Sequence, residues 1–397
     1  MTKESEVSEH VEAFDARLRA LGYAPFTQVA KVRFVSQFAR WAKTKDLIAE
    51  DVDETWLEKA VKHRPACAAE RRTTLYQFLE HLRERGIAAP RAAGGDGSPA
   101  VALERRYATY LRNERGLVAV TLVNYLGFVH RFMAERFRRG GAQPAHLTHR
   151  DVADFMLRHV QTMSPNRAKL MGTALRSFLR FLFLSADTAV DLSLAVPSVR
   201  QFQKAIVPKY LAAEEVERLL GTCDLTTPVG RRNHAILLLL ARLGLRASEV
   251  VKLELGDVRW REGELVVRGK GSIHDRLPLP KDVGEALALY LRRDRSACSS
   301  RAVFVRVRAP RRGFASAAAV TTIVEKAIAR SGLSPPLRGA HLLRHSLATG
   351  MIRRGATMAE IGQLLRHRSP ETTELYAKVD FEGLRSVSLP WPGTGGA

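Results

Sequence analysis

The sequence predicts a mainly α-helical chain with one small antiparallel β-sheet, the sheet lying in its C-terminal half. Three observations carry this. Apolar residues recur at helical spacing through the first two hundred positions, in an order that appears twice. One stretch, DVRWREGELVVRGKGSIHDRLPLP from Asp257, alternates and turns instead. Helical periodicity then resumes to near the end of the chain.

The repeated order defines two N-terminal helical segments. Gly22, Thr27, Val29, Phe34, Val35 and Phe38 recur as Gly116, Thr121, Val123, Phe128, Val129 and Phe132, at a constant offset of 94. Asp51, Val52, Leu75, Phe78, Leu79 and Leu82 recur as Asp151, Val152, Leu175, Phe178, Leu179 and Leu182, at an offset of 100. A short insertion reconciles the two offsets. The matches predict a duplicated helical unit that buries the same helix face twice. AAGGDGSP at 92–99 reads as one linker, and LAVPSVRQFQKAIVPK at 194–209, with its two prolines, as a second. The expected domains are 1–91, 98–193 and 208–390.

In the third domain, AEEVERLLGTC and NHAILLLLARLG read as helices, the second closed by Gly244. Strands are expected near Val258–Trp260, Glu264–Arg268 and Arg276–Leu279, with Gly263 in the first turn and Gly269 and Gly271 in the second. Helices follow over DVGEALALYLRR, AAVTTIVEKAIARSG and the segment holding HLLRHS. A last helix is expected from Ser369 as N-cap, with Pro370 in the first turn and Glu371 at its positive end, and to carry Tyr376.

The chain has 397 residues, enough for two or three domains, and 46% of it is apolar. It carries 63 Lys and Arg against 41 Asp and Glu, a formal charge of +22. Such an excess repels itself unless something anionic offsets it. Nucleic acid is the expected partner, because each neutralised phosphate releases counterions. An acidic membrane surface and ribosomal association are the competing explanations. The three cysteines, Cys67, Cys223 and Cys298, stand far apart, so neither a zinc ribbon nor a disulfide framework is indicated. MTKESEVSEH lacks the apolar core of a signal peptide, and the apolar run from Ala235 is too short to cross a bilayer. The expectation is a cytoplasmic protein associated with the nucleoid.

The polar residues of HLLRHS stand out because a core helix does not accept charge cheaply: a buried charge that has lost its partner costs roughly 3–5 kcal/mol. His341 and Arg344 share a helical face and call for something anionic opposite them. His341 and His345 have the spacing of a metal pair, but no Glu follows the first histidine, so H-E-x-x-H fails and no metal is expected. Singly, Arg246 in LGLRASEV reads as a solvated arginine, Lys270 in RGKGS as a turn lysine and Tyr376 as a core tyrosine. RGKGS is not a Walker loop, since G-x-x-x-x-G-K-[ST] is absent.

Together, GLRASEV, then GKG in a hairpin, then HLLRHS, then LLRHRSPETTELYAKV resemble the tyrosine recombinases, or phage integrase family. His341 and Arg344 are three apart, His367 follows 23 after Arg344 and Tyr376 nine after His367, intervals that match the family's box. No expected catalytic position departs from the pattern. The resemblance covers roughly 208–390, and 98–200 looks like the family's helical core-binding domain. The closing VSLPWPG resembles enzymes found on mobile elements, including those in which several recombinases lie side by side.

The resemblance implies a site-specific recombinase that breaks and rejoins DNA for integration, excision or transposition. A phosphodiester is anionic, and two guanidiniums, here Arg246 and Arg344, hold its non-bridging oxygens by charge-assisted hydrogen bonds. They favour the more highly charged transition state over the ground state. Tyr376 is implied as nucleophile. Only about one phenol in a thousand is ionised at pH 7, so it needs a base or a strongly positive site. His341 is implied as proton acceptor, His341 and His367 as further donors to the phosphate, and Lys270 as the acid for the leaving 5′-oxygen. Glu249 is the candidate brace for Arg246. A 3′-phosphotyrosyl ester conserves the bond energy, so no cofactor is required.

The implied partner is double-stranded DNA, gripped between 98–200 and the catalytic domain by an enzyme that is tetrameric on DNA, with partner recombinases as further associates. Arg306, Arg308, Arg311 and Arg312 in VRVRAPRRG are candidates for backbone contact. The first domain is expected to hold flanking DNA or a protein. Alternatives are a type IB topoisomerase, which would relax any plasmid, a catalytically inactive DNA-binding architectural protein, which would have lost one of the six positions, and an RNA-binding helical protein, which would have no use for Tyr376.

Overall fold

The fold is described from a computed structural model that covers residues 5–64, 67–90, 99–137, 143–198, 209–269, 274–295, 297–369, 371–374 and 376–377. The linker positions 92–98 and 199–208, Lys270, Gly271, Pro370 and the closing VSLPWPG lie outside the described residues. No helix among the described residues is long and apolar enough to cross a membrane.

The chain is mainly helical with one three-stranded sheet. The described residues of 1–89 and 206–397 belong to one compact unit and those of 90–205 to another. The first unit opens with four helices, α1 (Val11–Ala20), α2 (Pro25–Lys43), α3 (Glu54–His63) and α4 (Ala68–Glu84). They enclose a core of their own around Phe14, Phe38, Leu57, Leu75 and Phe78. The second unit repeats the plan with α5 (Pro99–Asn113), α6 (Ala119–Arg136), α7 (His149–Val160) and α8 (Pro165–Leu184), around Tyr107, Phe132, Phe155, Leu175 and Phe178.

The duplication extends to detail. α2 and α6 begin at 25 and 119, the offset read from the sequence, and each follows a glycine of positive φ, Gly22 and Gly116. Phe34, Val35 and Phe38 are buried in one copy, and Phe128, Val129 and Phe132 in the other. Val29 and Val123 depart from the expectation of a shared buried face: they match in sequence and both face solvent. The copies also differ at Asp51 and Asp151. Asp151 closes a capping box with Thr148 at the start of α7, whereas α3 is capped by Asp53, whose carboxylate accepts from the Trp56 amide.

The remainder of the first unit is built on α10 (Pro228–Leu243), preceded by α9 (Ala213–Leu220). Thr227 caps α10 by accepting from the Gly230 amide, with Pro228 in the first turn. Residues from Ala235 to Leu240 are all buried, so α10 is surrounded on every side rather than amphipathic. Gly244 stops it at φ 58°. α11 (Ala247–Lys252) leads into the antiparallel sheet β1 (Val258–Arg259), β2 (Glu264–Arg268) and β3 (His274–Pro278), in that spatial order. Leu265 pairs with Leu277 and Arg268 with His274, so β3 begins two residues before the alternation in the sequence suggests. α12 (Lys281–Arg293), α13 (Ala317–Ser331), α14 (Ala340–Arg353), α15 (Met358–Leu365) and a four-residue α16 (Glu371–Glu374) complete the unit. Tyr376 is therefore not within the last helix, as its sequence context implies, but in the turn just beyond it.

Candidate active site

The turn after α10 places the first arginine. Arg246 is the residue immediately before α11, and its amide donates to Glu249 Oε2 at 2.8 Å, within the first turn of that helix. The Arg246 guanidinium, about one-third exposed, donates to Glu249 Oε1 at 2.7 Å. The second oxygen of Glu249 also accepts from Arg366 Nη2 at 2.9 Å. One buried carboxylate thus braces two guanidiniums. Burial works to raise its pKa, but Arg366 and Arg246 outweigh that and hold the carboxyl below the usual range.

α14 supplies the second arginine. Arg344 is only 4% exposed and donates to the carbonyls of Gly244 and Leu365. Those two carbonyls end α10 and α15, where uncapped oxygens carry the negative end of each helix. Burial, with Arg246 and Arg366 nearby, pushes the Arg344 pKa down to about 10, so it remains a cation at neutral pH. Among the described residues it forms no ion pair with a carboxylate and is held by neutral acceptors.

α15 begins with a Thr357–Glu360 capping box and ends on Arg366, whose φ of 56° reverses the chain. His367 follows, its Nδ1 2.8 Å from Thr373 Oγ1, and its ring lies parallel to that of Tyr376 at 6.3 Å. Tyr376 packs against Ala348, Ile352, Ile361 and Leu365. Its hydroxyl lies 2.8 Å from His345 Nδ1. Burial raises the Tyr376 pKa, while the charges of Arg344 and Arg246 pull it back. The phenol is neutral here and sits on an imidazole, in the field of two arginines. Burial and the adjoining cations push His345 and His367 to about 4, so both rings are neutral at pH 7. His341, at the start of α14, is also lowered, by its packing against the surrounding protein and then by Arg344 and Arg246.

Residues 209–382 match the phage integrase family. The Sinorhizobium fredii integrase/recombinase y4rA is 38% identical over 396 residues, covering 98% of this chain and 96% of that protein. The chain belongs to the phage integrase family. The family's tyrosine recombinases are DNA strand transferases, and this chain is an enzyme of that class. The tyrosine recombinase XerC of Oceanobacillus iheyensis is 30% identical over 71% of this chain and 93% of its own length. Among solved structures, residues 75–356 of lambda integrase, in a dimer bound to a core site, share the fold at TM-score 0.54 and 17% identity, over 73% of this chain and 98% of that one. XerH bound to its difH substrate does so at TM-score 0.53 and 20% identity, over 79% and 88%.

Of the six positions the integrase pattern singles out, five are described, and Lys270 lies outside the described residues. Arg246, Arg344 and Tyr376 are brought together, with His341 and His367 beside them. Glu249 braces Arg246 as its spacing suggests. Two residues of the cluster are not marked by the sequence for these contacts. His345 stands out there only as half of a metal-pair spacing, although its place next to Arg344 is an available signal. Arg366, next to His367, has none, since nothing in the sequence marks it as paired with Glu249.

The loop of Arg306, Arg308, Arg311 and Arg312 is a turn closed by a bridge between Val305 and Gly313. Arg308 and Arg312 are exposed or nearly so. Arg311 is half-buried: its amide donates to the Leu21 carbonyl at 2.9 Å, and its side chain lies over Gly22, where a Cβ would come within 2.5 Å of Arg311 Cδ. None of the four guanidiniums forms an ion pair with a carboxylate among the described residues.

Proposed function

We propose that this chain is a site-specific recombinase that cuts and reseals duplex DNA through a 3′-phosphotyrosyl intermediate, with Tyr376 as nucleophile, in the integration, excision or transposition of a mobile element. The observation that carries this reading is the position of the Tyr376 hydroxyl. It stands within its own chain, hydrogen-bonded to a neutral imidazole and within the field of Arg344 and Arg246. A phosphodiester bridging the two guanidiniums would present its phosphorus to that hydroxyl.

In the forward step the Tyr376 oxygen bonds to phosphorus, the bond to the 5′-oxygen breaks, and the phenol proton passes to His345. Arg246 and Arg344 bind the non-bridging oxygens and stabilise the added charge of the pentavalent state. His341 and His367 act as neutral N–H donors, because neither is an imidazolium at pH 7. Lys270 delivers the proton to the departing 5′-hydroxyl. The second strand's 5′-hydroxyl reverses the sequence, so neither metal nor nucleotide enters. The family resemblance points to His341 as proton acceptor; the contact with His345 favours the neighbouring ring.

The partner is double-stranded DNA, held by residues 98–193 and 208–390 as separate domains and contacted along its backbone by Arg306, Arg308, Arg311 and Arg312. The charge of +22 supports it. Lambda integrase, a structural neighbour, has been solved as a tetramer bound to a Holliday junction, and a tetramer on DNA is proposed here too, with partner recombinases where the element encodes them.

The decisive experiment traps the enzyme on nicked suicide DNA. The wild-type chain becomes covalently attached through Tyr376, and Tyr376→Phe does not; attachment of the Phe variant removes the nucleophile. Lys270→Ala binds DNA normally, cleaves slowly and is rescued by a 5′-phosphorothiolate, whose leaving group needs no proton. Absence of rescue rejects the acid role.

A further inference from the structure

Arg366 stands where a side chain is costly. It follows α15 as its C-cap, at φ 56° and ψ 48°, a left-handed conformation that glycine adopts freely and an L-residue does not. Its side chain is only 6% exposed, and its Nε meets no acceptor among the described residues. Neither the backbone nor the packing accounts for an arginine there. What the side chain supplies lies in its polar contacts.

Those contacts tie together the groups of the active site. Arg366 Nη1 donates to the Leu364 carbonyl at 2.9 Å, and Nη2 to Glu249 Oε2, also at 2.9 Å. The same Glu249 oxygen accepts from the Arg246 amide at 2.8 Å, and Oε1 from the Arg246 guanidinium at 2.7 Å. On either side of Arg366 in the chain, the Leu365 carbonyl accepts from Arg344 and the His367 ring lies parallel to that of Tyr376. Charge matters as much as place. Arg246 and Glu249 alone form a neutral pair, which attracts an anion weakly. With Arg366 on the other side of the carboxylate and Arg344 nearby, three guanidiniums and one carboxylate leave two positive charges. A diester carries one negative charge and its pentavalent state two, so the second positive charge favours the latter.

We propose that Arg366 is a positioning residue for strand cleavage: acting through Glu249, it holds the Arg246 guanidinium in place and keeps that group's positive charge available to the phosphate. Its buried side chain does this without touching the DNA. The role rests on the reading above, in which Arg246 binds the scissile phosphate and Tyr376 attacks it. Because the stabilisation grows as charge develops on the non-bridging oxygens, losing it slows the chemical step more than it weakens DNA binding.

The test compares Arg366→Met with Arg366→Lys in the full chain. Both keep an unbranched side chain on the same left-handed backbone, and they differ in charge. Cleavage of nicked suicide DNA is followed in single turnover across DNA concentrations, which separates the rate at saturation from the affinity. Arg366→Met should cleave about 10²-fold more slowly at saturation, with DNA affinity within about threefold of wild type, and Arg366→Lys should recover at least about tenfold of that loss. Met and Lys variants that are equally slow would mean a merely structural role and overturn the proposal. A Met variant that cleaves at the wild-type rate, or that loses affinity alone, overturns it as well. If the Met variant does not fold, Arg366→Gly, free of the left-handed strain, takes its place in the same comparison. A wild-type chain that forms no covalent complex through Tyr376 defeats the proposed function; a wild-type chain that cleaves while the Met variant cleaves equally well defeats only the role of Arg366.

Discussion

The Tyr376 hydroxyl lies 2.8 Å from Nδ1 of His345, the residue that directly follows Arg344 on α14. Burial and the neighbouring His341 and Arg344 push the His345 pKa down to about 4, so the ring is neutral at pH 7, and its Nε2–H tautomer can accept the phenol's hydrogen bond at Nδ1. The phenol is thus hydrogen-bonded to an imidazole with no substrate present.

His345→Gln should slow covalent attachment by about 10²–10⁴-fold, the range of a lost proton acceptor. A 5′-phosphorothiolate should not restore it, since that substrate relieves only the leaving group. His341→Gln should show a smaller loss. Single-turnover cleavage of the two variants decides the order, and a larger deficit at His341 transfers the acceptor role to that ring.

Arg366→Gly should relieve left-handed backbone strain of about 1 kcal/mol, yet leave Glu249 braced from one side only. Breaking a buried pair costs roughly 3–5 kcal/mol, so a net loss of about 2–4 kcal/mol is expected in urea unfolding. A stabilised variant would mean the Arg366–Glu249 pair contributes little.

Gly244→Ala should be more damaging than its size suggests. At φ 58° an L-residue costs roughly 1–2 kcal/mol. The new Cβ would also come within 2.7 Å of Leu365 Cδ2, and overpacking adds about 1–3 kcal/mol. Thermal unfolding should register the sum, and cleavage should fall with it even at temperatures where the variant is folded.

Acid should weaken the fold in a defined window. His81, His345 and His367 are each pushed down to about 4, against about 6.5 when unfolded. Depressed values mean that the unfolded chain binds the extra protons, so stability is intact above pH 6.5 and falls as pH drops toward 4. Each ring contributes at most about 1.4 kcal/mol per pH unit, less where water reaches it. Comparing urea midpoints at pH 7 and pH 5 for wild type and His345→Gln isolates one ring's share: the variant should lose less.

Much of this site is readable from residue order, because Arg246, His341, Arg344, His367 and Tyr376 occur at fixed intervals and carry groups that a core would otherwise reject. His345 is harder. It is one residue from Arg344, about 100° around the helix, and only the return of the chain through α16 decides that the phenol meets that side. Arg366 is unreadable because its partnership depends on a backbone reversal at a position where glycine is the usual signal. The fold class and the order of helices and strands follow from periodicity and turn residues. Strand β3 begins earlier than expected because pairing with β2, rather than alternation, sets its first residue. The exposure of Val29 and Val123 escapes the sequence because periodicity alone cannot separate a buried apolar position from an exposed one.

Gly244 has a consequence beyond its own turn. Its carbonyl receives Arg344, and Arg246 departs from the chain two residues later. The gap between the two cations is thus inherited from where one helix stops. Long, supple side chains are given the rigidity of main chain, and neither arm can be retuned without disturbing the other.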